Sequence, residues 1–165
     1  MNIFLDTNIW IRYLAEDNEA KLASCQKLFM TIEQGKIQPY TSTIVLLEIY
    51  WTMRSLYHQT KEELEQKITS ILAMRGLVIV EKTDFRTAFA LHGKTGVKLA
   101  DCLIATQLPK GVALCTYDRE FARIPGLKTV TPEEMMLPGS LKTVRRVTSI
   151  EEREAFERGL SEGNV

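Results

Sequence analysis

Apolar and polar residues follow two periods along this chain, and the switches between them outline its elements. Asn2 to Leu5 is a short apolar run ending at a carboxylate, as a buried strand would. Ile9 to Leu14 suits a short helix. From Glu19 to Glu33 the apolar residues Leu22, Leu28, Phe29 and Ile32 lie near helical spacing, and Gly35 is a fitting stop. Ile37 to Thr41 suits a short strand, with Pro39 arguing for an irregular or edge position. Ser42 or Thr43 can cap a long helix to about Tyr57. Thr60 with Glu63 forms a capping-box pattern ahead of the stripe Leu64, Ile68, Ile71 and Leu72, and Gly76 is expected to end that helix. Leu77 to Val80 reads as a strand, and Asp84 opens a helix to about His92. Leu99 to Leu108 forms another helix, stopped by Pro109 and Gly111. Val112 to Thr116 and Leu127 to Val130 read as strands, and Pro132 to Met136 as a final helical turn.

Strands separated by helices predict an α/β fold with a central, mainly parallel sheet and helices on both faces. Ligands in such sheets gather at the carboxyl ends of the strands. No internal repeat is visible. From Pro138 onward the pattern changes. Apolar residues thin out, Lys142, Arg145 and Arg146 form a basic stretch, and Glu151 to Glu162 has a helix-like acidic pattern. The expected organisation is therefore a domain over 1–137 and a C-terminal appendage over 138–165 that could form a short helix.

Composition narrows the classes. A chain of 165 residues suits one domain, and it can bury roughly two-thirds of its unfolded surface without disulfides. The 45% hydrophobic and 25% charged fractions are those of a globular protein. No apolar run approaches the roughly 20 residues needed to cross a bilayer. The opening Met1 to Asp6 lacks the features of a signal peptide and reads as a first strand. Cys25, Cys102 and Cys115 are odd in number and scattered, as expected of buried thiols in a reducing cytoplasm. The formal net charge of zero weighs against a large basic surface for nucleic acid. It leaves room for a carboxylate site whose bound cations supply the positive charge.

Four acids stand out by their surroundings. Asp6 follows Ile3-Phe4-Leu5, and Asp118 follows the run Val112 to Tyr117. Two acids just past two parallel strands would meet at one edge of the sheet. Glu48 and Asp101 each sit inside an apolar helical run, where a carboxylate is costly to bury unless paired, hydrogen-bonded or metal-bound. Each has a plain reading when taken singly. An acid after a strand is commonly a turn former or cap. A Glu in an apolar helix is commonly half exposed, and Asp101 suits the first turn of a helix. Spacing alone leaves open whether the four converge. If they do, an all-oxygen set selects magnesium or manganese over zinc. His58 and His92 read as surface or capping residues.

Leu5-Asp6-Thr7-Asn8, Glu48 after Ser42-Thr43, Ala100-Asp101, and Thr116-x-Asp118 with Phe121 resemble, in order and surroundings, the pattern of the PIN-domain family. Pro125 to Glu133 resembles that family's ending, so the likeness covers roughly Met1 to Met136. Many small single-domain members are toxin ribonucleases of the VapC type, from type II toxin–antitoxin pairs. The resemblance implies a three-layer αβα fold and metal-dependent hydrolysis of RNA phosphodiesters with Mg2+ or Mn2+. It implies Asp6, Asp101 and Asp118 as ligands of the principal cation, and Glu48 completing the acidic pocket. Asn8 and Thr116 would hold Asp6 or a ligand water in place. Arg119, Arg123 and Lys98, with Lys94 and Lys128, flank the later motifs and are candidate phosphate contacts; each also suits an ordinary surface charge. Tyr117 is a candidate for base stacking or for packing.

The resemblance also implies a homodimer and a cognate antitoxin, with no membrane association. The aromatics Trp10, Tyr13, Tyr50, Trp51 and Tyr57 are candidates for such interfaces, or for the core. Arg145 or Arg146 could restrain the acidic pocket. Two rivals remain at this stage. Asp6-Thr7-Asn8 loosely resembles the start of haloacid-dehalogenase-like phosphatases, but Asn8 cannot replace their second acid. A PIN fold can also serve as a non-catalytic binding module.

Overall fold

A computed structural model describes residues 1–137. The expected appendage over 138–165, with Arg145 and Arg146, lies outside the described residues.

Five parallel strands form the central sheet. They are β1 (Asn2–Leu5), β2 (Gln38–Ser42), β3 (Val78–Val80), β4 (Ala113–Cys115) and β5 (Thr129–Val130), in the order β3-β2-β1-β4-β5. Among the described residues, seven helices flank it in a three-layer αβα arrangement: α1 (Thr7–Ala15), α2 (Glu19–Glu33), α3 (Thr43–Ser55), α4 (Lys61–Leu72), α5 (Phe85–Thr95), α6 (Leu99–Gln107) and α7 (Pro132–Met135). The central strands are the most apolar. Ile3, Phe4 and Leu5 of β1 and Leu114 and Cys115 of β4 are fully buried, as expected for strands covered on both faces. The outer strands β3 and β5 are short, which limits the open hydrogen-bonding edge.

Local chemistry sets the helix starts. Ser42 is the cap of α3, its hydroxyl accepting from the Val45 N–H at 3.3 Å. Thr60 and Glu63 form the expected capping box on α4, with reciprocal bonds of 2.8 and 3.2 Å. Asp84 caps α5. Leu64 and Ile71 carry the buried stripe of α4, whereas Leu72 stays half exposed. That helix closes at Leu72, earlier than Gly76 implied; Gly76 instead makes the turn into β3 at φ +71, a conformation glycine adopts without penalty.

Pro39 is the main correction. β2 is an interior strand between β3 and β1, although a proline argued for an edge. The Gln38 N–H points at β1, donating to the Met1 carbonyl at 2.6 Å. Successive backbone groups face opposite neighbours, so the Pro39 nitrogen faces β3. Pairing with β3 starts one residue later, at Tyr40 opposite Val78. The missing donor therefore falls just before that ladder begins.

The strand order reverses at β1. Strands β2 and β3 lie on one side of it, β4 and β5 on the other. The crevice at the carboxyl ends of β1 and β4 is thus the topological switch point, where an α/β sheet leaves room for a ligand.

Candidate active site

Asp6 directly follows β1, and its own backbone N–H donates to the Cys115 carbonyl of β4 at 3.1 Å. It also caps α1, so strand end, helix start and carboxylate share one residue. Its side chain is 3% exposed. One oxygen accepts from the Thr7 N–H at 2.8 Å. The other accepts from the Asn8 amide and from the Thr116 hydroxyl, both at 2.6 Å. Thr116 uses its full hydrogen-bonding capacity here: it also accepts from the Asn8 amide and from the Asp118 N–H, both at 2.9 Å. The Asn8 carbonyl oxygen closes the ring by accepting from the Tyr117 N–H at 3.1 Å. Asn8 and Thr116 thereby lock the end of β1 to the loop after β4. Burial dominates the electrostatics and pushes the Asp6 carboxyl up from 3.8 to about 7, partly offset by the hydrogen bonds from Thr116 and Thr7.

Glu48 and Asp101 reach the same pocket from helices. Glu48 lies in the middle of α3, which packs against α1, and accepts from the Thr7 hydroxyl at 2.5 Å. It is half-buried, so the cost expected for a carboxylate in that apolar run is moderated by a partner and by solvent. Asp101 occupies the first turn of α6 and lines the same pocket. Its Oδ2 is buried and makes no hydrogen bond among the described residues. Burial first, then the charges of Glu48 and Asp118, push its carboxyl up to about 6. Asp118 accepts from the Glu120 N–H at 2.8 Å and opens a 3₁₀ turn over Arg119–Arg123.

Asp6, Glu48, Asp101 and Asp118 all line one pocket of about 280 Å³. Sequence reasoning placed these four and missed two neighbours. Thr7, the middle residue of Asp6-Thr7-Asn8, joins two acids by giving its N–H to Asp6 and its hydroxyl to Glu48. Glu120 joins Asp101 and Asp118: one carboxylate oxygen from each lies within 4.8 Å of the others. Its only signal was a position two residues after Asp118, and the 3₁₀ turn is what brings it back to the cluster.

This set fits a hard divalent cation. The donors of the cluster Asp101, Asp118 and Glu120 are all carboxylate oxygens, burial makes Asp101 resist ionising alone, and its buried Oδ2 has no hydrogen-bond partner among the described residues. No helix among the described residues is long and apolar enough to cross a membrane.

The basic candidates divide. Lys98 immediately precedes α6 and is close enough to Asp101 to favour its ionised form. Arg119 is exposed beside the cluster on the 3₁₀ turn. Arg123 donates to the Thr95 carbonyl, tying that turn to the α5–α6 loop. Lys94 is exposed on α5. Lys128 precedes β5 and lines a different cavity, toward the amino end of the sheet. Tyr117 makes packing and polar contacts: its hydroxyl donates to Glu133 at 2.9 Å, and Lys21 lies 4.5 Å from its ring centre. His92 caps the α5–α6 loop against the Val97 carbonyl at 2.7 Å. Of the aromatics, Trp10 is core, whereas Trp51 is 64% exposed. Cys25, Cys102 and Cys115 are free and buried.

Comparison with known proteins returns the same overall shape. A sequence profile of the PIN domain matches residues 3–127. A VapC ribonuclease from Aquifex aeolicus (strain VF5) is 24% identical over 132 residues, which cover 79% of this chain and 96% of that protein. The structure is similar to VapBC2 from Rickettsia felis bound to a DNA fragment from its promoter, with a TM-score of 0.57 and 21% identity over 79% of this chain and 98% of that one. It is also similar to a toxin–antitoxin complex from Klebsiella pneumoniae, with a TM-score of 0.54 and 25% identity over 79% of this chain and 97% of that one.

Proposed function

The chain belongs to the PIN-domain family, and from that premise we propose that it is a divalent-metal-dependent endoribonuclease, the toxin of a toxin–antitoxin pair. The observation that carries the reading is the convergence of four acids from four separate segments on one pocket, with a buried Asp101 oxygen that has no hydrogen-bond partner among the described residues. A binding module would have no reason to maintain so much unneutralised charge at the sheet's switch point. The ribonuclease and toxin assignments rest on the similarity to a VapC ribonuclease and to a toxin–antitoxin complex.

In this mechanism Asp101, Asp118 and Asp6 would hold the principal Mg2+ or Mn2+, with Glu48 completing the pocket and Glu120 as a further carboxylate within reach. The bound cation supplies Lewis-acid polarisation of the phosphodiester and a lowered pKa for the attacking water. The protein does the rest by position. Thr116 and Asn8 fix the orientation of Asp6, and Thr7 fixes Glu48 beside it. Glu48 is placed to accept a proton from the water, being the acid on the α3 wall of the pocket. Lys98 and Arg119 flank the cluster as phosphate contacts, and Arg123 is a more distant one. The nuclease domain spans 1–137, with 138–165 as its appendage. A cognate antitoxin and a second copy of the chain are the proposed partners, and the cytoplasm, where buried free thiols persist, is the proposed setting.

Cleavage of a mixed RNA pool with added magnesium or manganese tests this, comparing the native chain with Asp101→Asn. Cleavage that needs metal and disappears in the variant supports both activity and site. Undiminished cleavage by Asp101→Asn would remove Asp101 from the site.

A further inference from the structure

The pocket does not stop at the carboxylates. Its walls are the facing surfaces of α1 and α3, and both continue past the acids. On α1, Ile11 and Arg12 line the pocket one turn beyond Thr7 and Asn8. On α3, Thr52 lies one turn beyond Glu48, and Leu56 closes the helix one turn further. A turn advances about 5.4 Å along a helix. The groove therefore runs from the acids for a distance comparable to one nucleotide step of a single strand.

Chemistry changes along the groove. One end collects negative charge and can take a phosphate only through bound cations. The other end carries Arg12, the one cationic side chain among the described residues that line the pocket. Arg12 is about one-third exposed and gives a single guanidinium nitrogen to Asp17. The same Asp17 oxygen accepts the Tyr57 hydroxyl, from beyond the end of α3. Asp17 is thus held from both walls, and it in turn aims the guanidinium. The remaining N–H donors of Arg12 make no hydrogen bond among the described residues. An exposed ion pair of this kind contributes only about 0–1 kcal/mol to stability. A fixed planar fork with unused donors, beside an exposed Leu56 side chain, is instead suited to a phosphate with its sugar and base.

We propose that Arg12 is a substrate-binding residue, taking the phosphate adjacent to the one held at the acidic cluster, with Asp17 and Tyr57 as its positioning residues. This rests on the nuclease reading above and adds a second phosphate subsite to it. Arg12 binds the strand in ground state and transition state alike, so it lowers KM and leaves the chemical step to the acids.

The test uses the full chain and a labelled single-stranded RNA oligonucleotide that the native protein cleaves in Mg2+ or Mn2+. Arg12→Met is expected to raise KM about 5- to 20-fold with kcat within about twofold, and to flatten the dependence of log KM on log salt by about 0.7, the loss of one single-strand phosphate contact. Arg12→Lys keeps the charge without the fork and should fall between. Asp17→Asn loosens the aim of the guanidinium but keeps its charge, so KM should rise less than in Arg12→Met and the salt slope should stay native. An unchanged KM and salt slope in Arg12→Met would overturn the proposal. So would equal increases in Arg12→Met and Asp17→Asn, which is the signature of a merely structural ion pair. If the native chain cleaves no RNA at all, the nuclease reading fails and the subsite fails with it, an outcome distinct from native cleavage that is indifferent to Arg12.

Discussion

The two sides of the acidic pocket are built differently. The strand side, from Asp6 to Asn8 and from Thr116 to Asp118, is a closed hydrogen-bonded ring in which the Thr116 hydroxyl has three partners and Asp6 accepts on both oxygens. The helix side has Glu48 held by one hydroxyl and Asp101 with a buried oxygen that has no hydrogen-bond partner among the described residues. Full satisfaction gives rigidity, while an unsatisfied buried acceptor costs stability until something binds it. The contrast gives the rigid frame to the strand side and leaves the unpartnered carboxylate oxygen on the helix side.

The largest expected effect breaks the helix side alone. Asp101→Asn should reduce metal-dependent RNA cleavage by at least about 100-fold, more than loss of a supporting residue costs. It should leave the melting temperature unchanged or higher, because it removes a repelling charge and no hydrogen bond. Thermal unfolding alongside the cleavage assay checks both halves.

Thr116→Val attacks the frame instead. It leaves Asp6, Asn8 and the Asp118 N–H each short of a partner, so destabilisation of about 1–3 kcal/mol is expected. Denaturant unfolding measures it. Activity should fall by roughly 10- to 100-fold as the positioning of Asp6 loosens. If Thr116→Val were as stable as the native chain, the strand side would not be the rigid partner.

The acid balance offers a third test. Asp6 titrates at about 7 and Asp101 at about 6 in the folded, metal-free protein, against an ordinary 3.8. Between roughly pH 4 and 7 the folded chain therefore binds more protons than the unfolded one, and its stability falls as pH rises through that window. Divalent cation should oppose this fall by binding only the ionised carboxylates, adding about 2.7 kcal/mol at a hundredfold excess over Kd. Melting temperatures from pH 5 to 8 with and without magnesium read the sign directly.

The smallest effect concerns Glu120. As a carboxylate at the edge of the cluster, its change to Gln should weaken activity by about tenfold at limiting metal and less at saturating metal. An equal loss at all metal concentrations would place its role elsewhere.

The residues that were legible in the sequence share one property: their neighbours in sequence carry the signal. The apolar triplet Ile3-Phe4-Leu5 announces a central strand, and the acid after it announces the strand's carboxyl end. Glu48 and Asp101 stand out because they interrupt apolar runs. Capping residues Ser42, Thr60 and Asp84 fix helix starts through bonds that span three residues. Chain order and these local rules determined an α/β fold with acids at strand and helix ends, as the family resemblance independently implied.

Only tertiary structure decided the rest, because the relevant contacts join residues far apart in the chain. Thr7 meets Glu48 across 41 positions and Asn8 meets Thr116 across 108, distances at which sequence carries no local signal. Pro39 is tolerated inside the sheet because of which neighbour its nitrogen faces, a matter of register. Glu120 joins the cluster through a short 3₁₀ turn, and Arg12 joins the pocket because α1 packs against α3. The sequence named the chemical groups; the switch at β1 and the packing of α1, α3 and α6 chose which of them meet.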